Sequence, residues 1–102
     1  MEVKDNEFNR QFEAEVNGHT YAIEYSVQER KLFLTKIFQP EGAEDDTIIS
    51  DMLKQILETA EDRRLRVMPI HPKVVAFFKK NPGYKDMLPP GCLLYTSDAA
   101  DE

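Results

Sequence analysis

Few residues in this chain have the type and placement to do chemistry. His71 is the one candidate general base: an unperturbed imidazole titrates close to neutral pH, which suits proton removal. It falls at the end of a predicted strand and just before a predicted helix, where sites in mixed sheets often form. The plainer reading makes it the neighbour of a helix start before Pro72, with no chemistry. Tyr84 is a phenol just after the second predicted helix; the plainer reading has it anchor that turn against the core. Glu41, Glu44, Asp45 and Asp46 gather in one loop but lack the alternate spacing and the bidentate Glu of an EF-hand. His71 and His19 are far apart, and Cys92 is the only cysteine, so no metal site is expected.

The elements that must position these residues follow from periodicity. Phe12, Ala14 and Val16 alternate with Glu13 and Glu15, a half-buried strand. Asn17-Gly18 is a strong hairpin signal, because both central residues of a type I′ turn need positive φ. Tyr21, Ile23, Tyr25 and Val27 continue the alternation, so residues 9–16 and 19–27 form an antiparallel hairpin. Gln28-Glu29-Arg30 turns the chain again. The stretch 31–38, KLFLTKIF, is apolar on both faces, which marks an interior strand.

After the loop QPEGAEDD, the apolar residues Ile48, Ile49, Met52, Leu53, Ile56, Leu57 and Ala60 recur at helical spacing. Asp46 or Thr47 is the expected N-cap, and Arg63 and Arg64 complement the dipole at the other end. Residues 65–70, LRVMPI, read as a fourth strand. Pro72 opens a second helix at a position that needs no N–H. Asn81-Pro82-Gly83 ends that helix, and residues 84–88 add one more turn. Met52 and Met68 are core fillers by period. The order is β-β-β-α-β-α: an α+β fold with a mixed four-stranded sheet, an antiparallel β-β-β meander followed by α-β-α. The strand–helix–strand crossover makes strands three and four parallel.

Bulk numbers narrow the function class. One hundred and two residues make one domain. A net charge of −6 argues against nonspecific binding to nucleic acid or to an anionic membrane. No apolar run approaches a bilayer span, and the N-terminus lacks the apolar core of a secretory signal, so the expected compartment is the cytoplasm. The oligomeric state has no sequence signature.

Four stretches, taken in order, carry a resemblance. FEAEVNGHTYAIEY resembles the opening hairpin of the compact GCN5-related N-acetyltransferases. LTKIFQPEG resembles their strand leading to the cofactor loop. MLKQILETAEDRRLRVMP resembles the helix after that loop and the next strand. PKVVAFFKKNPGY is similar to their last helix. The resemblance implies an acetyl-CoA held between two parallel strands that splay apart, its pyrophosphate at the start of the following helix. It implies transfer of acetyl to a small-molecule amine or a protein lysine. It places the cofactor at Thr47, Ile48, Ile49 and Ser50; on that reading His71 is the candidate base, and Tyr84 a candidate for the acid that protonates the departing thiolate. Lys79, Lys80 and Lys85 are candidates for the adenosine phosphate.

The chain departs from the family pattern in two places. The family loop reads Arg/Gln-x-x-Gly-x-Gly/Ala; residues 44–49 here are Glu-Asp-Asp-Thr-Ile-Ile, with Thr47 and Ile49 at the glycine positions. His71 stands where compact members often carry Cys. A second reading is therefore a non-catalytic binding module that keeps the fold without the pyrophosphate loop. A third is a small interaction domain unrelated to acetyl transfer.

The segment CLLYTSDAADE, residues 92–102, resembles the translation of a transposon-end adapter used in sequencing libraries. The expectation is a single domain over 1–91, with a tail that was not selected to pack.

Overall fold

The computed structural model describes residues 2–42 and 46–89. The expectations for Glu44, Asp45 and the tail 92–102 lie outside the described residues.

Among the described residues the sheet has five strands, not four: β1 (Lys4–Asn6), β2 (Gln11–Val16), β3 (His19–Gln28), β4 (Lys31–Phe38) and β5 (Arg66–Pro69). Their spatial order is their chain order. The antiparallel meander is thus four strands long. The extra strand is three residues of KDN with no apolar alternation. It is held by tertiary partners instead. Asp5 sits opposite Phe12, and its Oδ1 accepts a hydrogen bond from the Tyr25 hydroxyl at 2.6 Å. Its Oδ2 lies 2.8 Å from the Arg63 guanidinium.

Both hairpin turns are two residues long with positive φ at each: Asn17 and Gly18 between β2 and β3, Glu29 and Arg30 between β3 and β4. This is the backbone that right-twisted antiparallel strands require. Helix α1 (Thr47–Asp62) carries the chain across to β5, which pairs with β4 in parallel. Helix α2 (Pro72–Lys80) and a 3-10 turn (Pro82–Met87) follow.

One core joins these parts. Phe12, Ile23, Leu32, Leu34 and Val67 from one face of the sheet meet Ile49, Met52, Leu53, Ile56 and Leu57 of α1 and Val74, Phe77 and Phe78 of α2. Burying such a side chain is worth about 1.5–3 kcal/mol, so these contacts, not helix propensity, fix both helices. The opposite face is polar at Glu13, Glu24 and Lys36, which lie in neighbouring register rows. Met68 lies between two inward-facing neighbours, Val67 and Pro69, and is only half-buried on that outer face. The expected core role for Met68 is corrected on that ground, whereas Met52 is fully buried.

The broken alternation along β4 has a specific cause. Glu24 pairs with Lys36 but Tyr25 pairs with Leu34, so Thr35 is an extra residue, a β-bulge. The bulge resets the alternation. Leu34 and Ile37, three apart, therefore face the same side.

Candidate functional site

The parallel ladder between β4 and β5 runs from Lys31↔Arg66 to Leu34↔Pro69 and ends there. Two sequence features stop it. Pro69 has no N–H to continue the ladder, and the bulge at Thr35 bends β4 at the next position. β4 continues to Phe38 while the other chain turns through Ile70 into α2. The carboxyl ends of two parallel strands thus part beside the starts of two helices, the position where open mixed sheets bind ligands.

A lysine ties the edges of this opening together. Lys73, in the first turn of α2, donates from Nζ to Gln39 Oε1 at 2.8 Å, just past β4. The same ammonium pairs with Asp46 Oδ1 at 2.8 Å, immediately before α1. Asp46 is at the N-cap position as expected, but its side chain makes no capping hydrogen bond. The Lys73 ammonium holds it instead. The N–H of Ser50 makes the first helical bond, to the Asp46 carbonyl at 2.8 Å. Of the four expected cofactor residues, Thr47, Ile48 and Ile49 precede that bond and carry the first-turn donors; the Ser50 N–H is committed to the helix. Ile49 is 2 % exposed, so its side chain is turned into the interior. Thr47, at the other glycine position, is exposed.

Between α1 and α2 runs a groove of about 180 Å³. Ile49, Leu53, Ala76 and Phe77 make it apolar, and Asp46, Ser50, Lys73 and Lys80 supply its polar atoms. Lys73, Ala76, Phe77 and Lys80 share one helical face by spacing. Of the three lysines expected near a phosphate, only Lys80 lines this groove. A larger hollow of about 410 Å³ lies among Glu2, Lys4, Glu13, Glu15 and Thr20 on the β1–β2 side. It belongs to the polar flank of the sheet and receives none of the predicted site residues.

His71 lies at the opening, but as a cap. Its backbone is extended, and its Nδ1 accepts the Lys73 N–H at 3.0 Å. A neutral imidazole that accepts at Nδ1 carries its proton on Nε2, so what it offers outward is a donor. Burial first, and then the Lys73 charge, pushes its pKa below the usual 6.5. In this geometry the Nδ1 lone pair that a base would use is taken up by the Lys73 N–H.

Tyr84 is at the other end of α2, in the 3-10 turn, with its ring 5.5 Å from that of Phe77. Nine residues of helix span about 13 Å. His71 and Tyr84 are not brought together, and Tyr84 packs as an anchor.

Lys73 and Gln39 escaped the sequence reading. A signal for Lys73 was present: a cation in the first turn of a helix opposes the macrodipole, so it needed a partner.

A family model described as GCN5-related N-acetyl-transferase matches residues 11–87, from the first residue of β2 to the last of the 3-10 turn. The chain belongs to the GCN5-related N-acetyltransferase family. No curated protein matches it. The four-strand meander, the crossover helix and the parted parallel pair agree with that membership, and an unrelated interaction domain is set aside. No helix among the described residues is long and apolar enough to cross a membrane.

Proposed function

We propose that this chain transfers an acetyl group from acetyl-CoA to an amine, carried by a small molecule or by a protein lysine. The observation that supports this most directly is the end of the β4–β5 ladder at Leu34↔Pro69 beside the start of α1. In this reading the β4 edge past Leu34 holds the acyl arm through backbone groups. The first turn of α1 at Thr47, Ile48 and Ile49 faces the pyrophosphate, and the groove beside Lys80 takes a further part of the cofactor. Acetyl-CoA supplies the activated acyl carbon as a thioester. His71 donates from Nε2 toward the carbonyl oxygen as charge develops there. The amine arrives neutral, having lost its proton to solvent, so the rate rises with pH toward the acceptor's own pKa. The new C–N bond would form as the thioester C–S bond breaks, the nitrogen's extra proton passing to solvent and the CoA thiolate leaving to be protonated by solvent. Tyr84 has a packing role.

A second reading, a binding module without catalysis, is favoured by Thr47 and Ile49 standing where the family has small residues. Calorimetric titration of acetyl-CoA into the full chain separates the two. Dissociation in the micromolar range is expected. Absence of heat up to millimolar ligand would favour the module.

A further inference from the structure

Lys73 is badly placed for its own helix and well placed for something else. In the first turn of α2 its charge opposes the helix dipole. It stays there because Asp46 and Gln39, from two other segments, accept from it at 2.8 Å each. An ammonium has three donors, and these contacts use two. The ion pair is not deep: the Lys73 and Asp46 side chains are 39 % and 58 % exposed. Exposed pairs of this kind are weak, and a dianionic phosphate oxygen cluster is a stronger acceptor than one carboxylate. The side chain that accepts from Lys73 also carries an unused donor. Gln39 Nε2 is buried and has no hydrogen-bond partner among the described residues. Its orientation is fixed, because Oε1 must face the Lys73 ammonium. The groove between α1 and α2 begins at this pair. Asp46 thus occupies one acceptor position on the Lys73 ammonium at the edge of a cavity, and the unpartnered Gln39 amide belongs to the same lysine's other acceptor.

We propose that Lys73 is the residue that binds the pyrophosphate of the cofactor, and that Asp46 is a built-in competitor which the pyrophosphate must displace. The idea rests on the acetyl-CoA reading above. It assigns to α2 the positive charge that the family loop supplies and that residues 44–46 lack. Cofactor binding then exchanges one acceptor for another: the Lys73–Asp46 contact opens, Lys73 and Gln39 donate to phosphate oxygens, and Asp46 turns to solvent.

The test is a two-by-two set of full-length proteins: wild type, Asp46→Asn, Lys73→Ala and the double variant, titrated with acetyl-CoA at low ionic strength. Thermal unfolding checks that each is folded, and Lys73→Arg serves as the charge-conserving control. Asp46→Asn should tighten binding by about fivefold, the scale of an exposed ion pair. Lys73→Ala should weaken it by about tenfold, the scale of one charge-assisted contact. In the Lys73→Ala background, Asp46→Asn should change nothing. Lys80→Ala should leave the Asp46→Asn gain intact. Acetyl-pantetheine, which has no phosphate, should bind all four alike.

Two results overturn the competition while leaving acetyl-CoA binding in place. One is an equal gain from Asp46→Asn with and without Lys73, which would mean only general relief of like charge. The other is a Lys73→Ala protein that binds as wild type does. If acetyl-CoA binds none of the four, the acetyl-CoA reading itself falls, and this inference falls with it.

Discussion

A histidine whose Nδ1 accepts a backbone N–H cannot take a proton there and keep that bond. His71 has its pKa held below 6.5 by burial and by Lys73, so its folded form resists protonation more than its unfolded form does. The stability it contributes is present above pH 6.5 and is lost as pH falls through the lower, folded value. We expect His71→Asn, a good N-cap without titration, to flatten the acid side of the stability curve. His71→Ala should cost about 1 kcal/mol at neutral pH. Denaturant melts across pH 4–8 read both, and loss of a pH-rate limb instead of stability would restore His71 as a base. Tyr25 works in the opposite window. Burial, then its hydrogen bond to Asp5, pushes its pKa from 10.0 to about 12. The folded protein keeps that proton longer than the unfolded one, so stability falls between pH 10 and pH 12. Tyr25→Phe should remove this fall while losing about 1 kcal/mol below pH 10; an unchanged alkaline slope would reject the assignment. At this scale the sequence was half legible. His71 could be located from its neighbours. Its ring orientation, set by the Lys73 N–H two residues on, could not.

Elements read more clearly, because periodicity reports which faces are buried. The hairpins, both helices, the parallel β5 and the extra turn are present within a residue or two of expectation. Strand β1 was missed because an edge strand of three polar residues has no period to read. The Asp5 contacts that hold it come from residues 20 and 58 positions away in the chain. The end of α1 also differs from expectation. Arg63 pairs with Asp5 and does not simply face the dipole, and Arg64 takes φ 60°. Its N–H bonds Glu61 O and the Leu65 N–H bonds Ala60 O, a Schellman motif whose left-handed position usually carries glycine. Arg64→Gly should therefore stabilise the fold by about 0.5–1 kcal/mol. Thermal unfolding checks this; a lower melting temperature would show that the Arg64 side chain contributes more than its backbone costs.

For the whole molecule, the chain order of the strands has a consequence in time. Strands β1 to β4 pair only with their sequence neighbours. Each closure spans a short loop and costs little chain entropy. The β4–β5 pair is different, since Leu32 meets Val67 across a helix. Contacts of high sequence separation are slow to form. We expect the meander to be structured in the folding transition state and β5 with α2 to dock after it. Val67→Ala and Val74→Ala should then mainly speed unfolding, while Ile23→Ala should mainly slow folding; stopped-flow chevrons with the reverse pattern would refute this order. The opening between β4 and β5 would be the last part of the molecule to exist during folding and the first to come apart. A nascent chain would hold its sheet well before it could hold a ligand, and a bound cofactor would act as the clasp on the slowest seam.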